Sequence, residues 1–152
     1  MSANNISETI RSNPIFASLT PEQAEELASH CEVLILPPEF RLFSQGEISE
    51  DMFVLFKGKL SLRVQDAAGG EMEVGRLSSG EVFGEMGVLE REARSASVVT
   101  IEDTIVLKIP GAGFYHMIEL AHPAIHLLLA HTLEKACSRL RSVDERLDGL
   151  FY

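Results

Sequence analysis

Between residues 40 and 110 the chain alternates apolar and polar side chains with a period of two, and glycines interrupt the alternation at short intervals. No other feature constrains the fold as strongly. A two-residue period gives each segment one core face and one solvent face as a strand, and no helix can satisfy it. In "KLSLRVQ", Leu60, Leu62 and Val64 share one face, while Ser61, Arg63 and Gln65 share the other. "MFVLFKG" precedes it across Gly58, "EMEVGRL" follows across "DAAGG", and "SASVVTI" and "TIVLKIP" complete the series. With Gly46, Gly58, Gly69, Gly70 and Gly80 as punctuation, the pattern predicts a mainly β fold. A small antiparallel β-barrel or jelly roll (double-stranded β-helix) is the expected form.

Helical patterns flank this region. In "LTPEQAEELASHCE", Thr20 is placed to cap, Pro21 to fill the first helical position, and Gln23 to complete a capping box. Pro37 and Pro38 end the "EVLIL" run. Beyond Pro110 a hinge, "PGAGFYHMIELA", leads to Pro123, which opens a long helix predicted to reach about Asp148, with Gly149 as its stop. The expected organisation is one domain over 1–152: an N-terminal helical arm 1–31, a β-barrel 32–110, and the hinge with the long C-terminal helix 111–152.

The chain has 152 residues, 45% hydrophobic and 24% charged, which suits a globular protein with a real core. It has no apolar run of about 18 residues for a membrane span and no basic-then-apolar leader, so a cytoplasmic location is expected. Cys31 and Cys137 are too few for a disulfide framework. With 23 acidic against 13 basic residues the net charge is −10. Such a balance repels phosphate backbones, so direct DNA binding is not expected. An anion would have to be held by a local device.

"FGEMGVLEREARSASV", Phe83 to Val98, has the parts of such a device. A helix N-terminus offers backbone amides and a favourable dipole, and "EMGVLE" reads as a short helix. Gly84 and Gly87 let backbone approach a ligand closely, with no Cβ in the way. Arg94 supplies a planar fork suited to phosphate oxygens, and Ser95 adds a hydroxyl donor. Glu85 would repel phosphate yet accept hydrogen bonds from sugar hydroxyls. A ligand bearing both groups is a nucleotide. An exposed ion pair between Glu85 and Arg94 is the plainer reading of the same spacing, and it would contribute little.

The stretch closely resembles the phosphate-binding cassette of cyclic nucleotide-binding domains, and "RLFSQGEISEDMFVLFKGKLSLRV" resembles that family's first barrel strands. The resemblance spans roughly residues 14–148. It implies that Arg94, assisted by Ser95, holds the cyclic phosphate, that the backbone amides of Gly84, Met86 and Gly87 line the cradle, and that Glu85 takes the ribose 2′-hydroxyl. It implies further that Leu62, Val74, Leu77 and Phe83 form the apolar wall against the base. Ser95 inclines the expected ligand to cyclic AMP over cyclic GMP. At the long-helix position where family activators contact the base, this chain has Leu140 and Arg141, so that contact does not carry over; Ser138, Arg141 and Ser142 are nearby polar candidates. Those activators continue into a helix-turn-helix beyond the point where this sequence stops, at Tyr152. A free-standing sensor, or a fragment lacking its effector domain, is the resulting expectation.

Along the last helix Leu129, Leu133, Ala136, Leu140, Val143, Leu147 and Leu150 are spaced 4-3-4-3-4-3, a heptad seam. With Leu133, Leu140 and Leu147 at a, Arg139 and Arg146 fall at g and Asp144 at e, the pairing of a parallel homodimer. The same stripe could instead pack on its own barrel. A cupin-like metal site would need histidines on strands. His30, His116, His122, His126 and His131 all lie outside the predicted strands and read as helix-surface or interface residues. No nucleophile or P-loop motif occurs, and no enzyme activity or cofactor is expected. The alternative to a ligand sensor acting on an unidentified downstream protein is a module of the same fold that dimerises or docks a partner without nucleotide.

Overall fold

The computed structural model describes residues 3–151; the side chains of residues 3, 4, 86 and 147–151 lie outside that description, so Leu147 and Leu150 of the predicted seam are not placed. Helix α1 (Ala3–Ser12), a 3₁₀ turn (Pro14–Phe16) and α2 (Pro21–Ser29) form the N-terminal arm. Around α2 the capping box closes reciprocally: Gln23 N–H donates to Thr20 Oγ1 at 3.2 Å, and Thr20 N–H to Gln23 Oε1 at 2.9 Å. Seven elements follow: β1 (Glu32–Leu36), β2 (Arg41–Phe43), β3 (Met52–Lys57), β4 (Leu60–Gln65), β5 (Glu71–Leu77), β6 (Val82–Phe83) and the short α3 (Glu85–Leu89). Strands β7 (Ser97–Thr100) and β8 (Thr104–Ile109) complete the roll before α4 (Gly111–Glu119) and α5 (Pro123–Phe151).

Two four-stranded antiparallel sheets result, ordered β1-β8-β3-β6 and β2-β7-β4-β5. This is the mainly β, flanking-helix architecture expected from the alternation, an eight-strand double-sheet roll. Between the sheets lie Leu36, Phe43, Phe53, Leu55, Leu60, Phe83, Val98 and Val106. Strands β3 and β8 of the first sheet are buried on both faces. Met52, Val54, Leu107 and Ile109 turn outward from β3 and β8 onto Ile10, Phe16, Leu27, Phe114, Met117 and Leu128 of the helices. Each such side chain, fully buried, contributes about 1.5–3 kcal/mol. That second core fixes the N-terminal arm and the start of α5 against the roll.

Two local expectations are corrected. The long helix runs through Gly149 to Phe151. A glycine inside a helix costs only about 1 kcal/mol relative to alanine, so it ends one only where a left-handed cap forms. His122 is not a helix-surface residue: it is 3% exposed and precedes α5. Its Nδ1 accepts from Ala124 N–H at 3.1 Å, leaving Nε2–H to donate to Gln23 O at 3.1 Å. The ring thus caps α5 and ties it to α2. Among the described residues no helix is long and apolar enough to cross a membrane.

Candidate functional site

A cavity of about 190 Å³ opens where α3 and the 92–96 segment meet the second sheet, with α5 passing over it. Its floor is organised by Arg94, which is 6% exposed and turned inward. Nη1 donates to Gly84 O at 2.9 Å and Nη2 to Asp51 O at 2.7 Å, while Nε is buried without a partner. The guanidinium lies 4.3 Å from the centre of the Phe43 ring and 5.8 Å from that of Phe53, and Phe53 in turn stacks on Phe83 at 5.2 Å. Burial pulls the guanidinium pKa down, opposed by the charges of Asp51, Glu47 and Glu85. An arginine keeps its proton despite such a shift, so the floor carries a desolvated cation with the Nε–H and one N–H on each terminal nitrogen still open.

The backbone explains how so large a group is accommodated. Gly84 has φ +74°, and a Cβ there would stand 2.7 Å from Arg94 Nη1. At Gly87 a Cβ would collide with the Ser49 carbonyl oxygen and come within 2.9 Å of Arg94 Nη1. What the two glycines admit, in the described arrangement, is the guanidinium itself and the neighbouring chain. The main chain of residue 94 is also anchored: its N–H donates to Glu47 O, and its carbonyl accepts from Gly46 N–H, both at 2.8 Å. The Gly87 amide is engaged with Gly84 O at 3.2 Å. The Glu85 and Met86 amides stand at the start of α3, where a helix leaves its donors free.

Of the residues anticipated from sequence, Gly84, Glu85, Gly87, Arg94, Ser95, Leu62, Leu77 and Phe83 all line this one cavity. Ser95 is exposed at its rim. Val74 does not join them; it is 55% exposed on edge strand β5. The register of β4 on β5 passes from Leu62↔Gly75 to Arg63↔Glu73, leaving Val74 as an unpaired bulge residue. Alternation counted along the strand cannot anticipate that extra residue.

The wall residues that escaped sequence reasoning include Phe43 and Val98 from the second sheet, Val82 from the first, and Arg139 from α5. Phe43 and Val98 carried only the general signal of inward strand positions. Arg139 did carry a signal. His131, Lys135 and Arg139 fall four apart and form a stripe beside the leucine seam. That stripe faces a second cavity of about 70 Å³, bounded also by Leu77, Glu81, Val82 and Glu85. Lys135 Nζ lies 3.8 Å from Glu81 Oε1. Leu77, Val82, Glu85 and Arg139 are common to both cavities.

The leucine seam itself faces outward. Ala124, Ile125 and Leu128 are buried in the helical core, but Leu129, Leu133, Leu140 and Val143 are 41%, 65%, 65% and 47% exposed. Those four side chains therefore do not pack on the barrel, whereas Ala136 of the same stripe borders the second cavity. Among the described residues no three His, Cys, Asp or Glu side chains are grouped to hold a metal ion. Cys31 sits against the helical core, and burial pushes its thiol up to about 12; Cys137 is exposed on α5.

Comparisons with known proteins converge. Residues 33–120 match the family profile described as "Cyclic nucleotide-binding domain". The cyclic AMP receptor protein of Thermus thermophilus is 31% identical over 144 residues, covering 94% of this chain and 64% of that protein. The crystal structure of the catabolite activator protein of Thermus thermophilus superposes with a TM-score of 0.71 at 31% identity, over 90% of this chain and 62% of that one. A cyclic nucleotide-binding domain from Methylobacillus flagellatus shares the fold at a TM-score of 0.73 and 19% identity, over 95% and 81% of the two chains. This chain thus spans less than two thirds of the length of the first of these relatives.

Proposed function

The chain belongs to the cyclic nucleotide-binding domain family, and we propose that residues 1–152 act as one sensing unit that binds a cyclic nucleotide, without turnover, and couples occupancy to the position of α5. Cyclic AMP is the proposed ligand in preference to cyclic GMP. Ser95 in the cassette and the similarity to a protein named as a cyclic AMP receptor support that choice. The single observation that carries the reading is the buried Arg94 guanidinium, with an unpartnered Nε, on the floor of a cavity it shares with Glu85 and Ser95.

In the proposed complex a cyclic phosphate takes up the open N–H groups and competes with the carbonyls of Gly84 and Asp51 for the other two. Charge-assisted bonds of this kind are about twice as strong as neutral ones, so the exchange is favourable. Ser95 and the amides of Gly84, Met86 and Gly87 complete the phosphate shell, which requires Gly87 to release Gly84. Glu85 accepts from the ribose hydroxyl. Leu62, Leu77 and Phe83 pack on the base, and Val74 joins them only if edge strand β5 closes inward. Because Glu85 and Arg139 border both cavities, closure around a ligand favours one seating of α5 over another, a population shift. The seam Leu129, Leu133, Ala136, Leu140, Val143 and Leu147, exposed at Leu129, Leu133, Leu140 and Val143, is proposed to pair with a second copy as a parallel homodimer. At net charge −10 this chain is proposed to signal to a protein partner rather than to touch DNA.

Isothermal titration with cyclic AMP and cyclic GMP tests the core of this reading. The parent should bind cyclic AMP more tightly, and Arg94→Ala should weaken binding by roughly 30-fold or more, the loss of one buried charged contact. Arg94→Lys keeps the charge without the fork and should fall between. No heat from a folded parent with either nucleotide would sink the sensor and leave the nucleotide-independent docking module.

A further inference from the structure

The second cavity contains a group for which nucleotide binding has no use. His131 Nε2 is buried beneath α5 with no hydrogen-bond partner. The charges facing it are Glu81 from the β5–β6 turn, Glu85 from α3, and Glu134, Lys135 and Arg139 from α5 itself. Glu81 is the acid placed to pair with an imidazolium, but it is committed elsewhere. Its Oε2 accepts from Ser78 N–H at 2.6 Å, and its Oε1 faces Lys135 Nζ at 3.8 Å.

We propose that the seating of α5 on the roll is a proton-sensitive latch, in which His131 fits its cavity only as the neutral imidazole and its protonation releases the helix. A neutral ring with one idle nitrogen costs little in such a place. An imidazolium there would bring a second N–H donor and a positive charge, with no acceptor within hydrogen-bond distance of Nε2 and an ammonium one helical turn away. Burial lowers the His131 pKa from 6.5, Lys135 adds to that, and Glu134 and Glu81 oppose it without reversing it. A base whose pKa is depressed in the seated form favours seating above its ordinary value of 6.5, and that contribution is lost as pH falls through the seated value. Protons would then act on the same helix as the ligand, from the opposite side of the wall formed by Glu85 and Arg139.

The test needs no nucleotide, so it stands apart from the sensor reading. The ligand-free chain is followed by NMR from about pH 7.5 to about pH 5.5, the range over which histidine changes charge. The His131 ring should titrate below the ordinary histidine value, and the amides of 131–139 and 81–85 should shift with the same midpoint. Hydrogen exchange of the 131–139 amides, corrected for the intrinsic effect of pH, should rise about tenfold at the acid end as the helix loosens locally. In His131→Gln, which cannot titrate, both responses should vanish; in His131→Lys the fast exchange should be present throughout. Amides that ignore the His131 titration overturn the latch, as does an unchanged pH response in His131→Gln.

Discussion

The floor and the roof of the ligand cavity are held by different physics. In the floor, Arg94 is fixed through main-chain atoms: two carbonyls accept from its fork, two glycines admit it, and its own backbone is bonded to the 46–47 turn. Beneath it three phenylalanine rings pack in contact. In the roof, α5 borders the cavities with His131, Thr132, Lys135, Ala136 and Arg139. Among the described residues its one ion pair to the roll joins groups that are 49% and 32% exposed, and His131 Nε2 has no hydrogen-bond partner. Main-chain bonds in a packed core leave few alternatives, whereas long exposed side chains exchange partners at little cost. The proposed sensor would need that division: a floor that defines the ligand and a roof that can be moved by it.

The largest way to break the contrast is at the floor. Gly87→Val would drive a branched side chain into the Ser49 carbonyl, which is backbone and cannot swing aside. A loss of about 3 kcal/mol is expected, the upper end of the overpacking range. For a chain of this length it corresponds to a fall of roughly 6–12 °C in Tm. A Tm within about 2 °C of the parent would show that the floor is as adjustable as the roof.

The outer face of the roof should respond in association rather than in stability. Leu133→Glu combined with Leu140→Glu alters two residues that are each 65% exposed, so the folding free energy should stay within about 0.5 kcal/mol. If the seam pairs two copies, the change removes apolar burial and adds like charges at four positions of the dimer. At about 1.5–3 kcal/mol for each buried leucine, dimerisation should weaken at least about 100-fold. Equilibrium sedimentation reads this directly, and a parent that is monomeric at high micromolar concentration rules the pairing out.

The smallest effect belongs to the inner face. Lys135→Ala deletes the ion pair with Glu81, and both partners are exposed enough for solvent to screen them. A change of about 0.5 kcal/mol or less in denaturant unfolding is expected. A loss above about 2 kcal/mol would mean that the roof is clamped, and the contrast with the floor would fail.

Much of this molecule could be read from its sequence, and the failures share a cause. The strands followed from alternation between glycines, because each strand's inner face is set by its own residues. The cap at Thr20 and Gln23 was legible because its partners are three apart. The cassette residues could be grouped because Gly84 to Ser95 is one short segment. Val74 was misplaced by a bulge, which depends on how two strands meet rather than on either alone. His122 looked like a helix-surface residue until α2 was brought against it. Arg139 was assigned to a dimer seam, since the heptad pattern says which residues share a stripe and not which way the stripe turns.

The sequence by itself determined the roll, the flanking helices and the local set of groups able to hold an anion, because these rest on periodicity and on neighbours within a dozen residues. Only the tertiary structure decided that Arg94 rests on Phe43 and donates to Asp51 O, residues about fifty positions away in the chain. It alone decided that α5 turns His131, Lys135 and Arg139 toward the cavities and its leucines outward. The rotation of a helix about its axis is fixed by the second core beneath Ala124, Ile125 and Leu128, and no residue of the exposed turns encodes it.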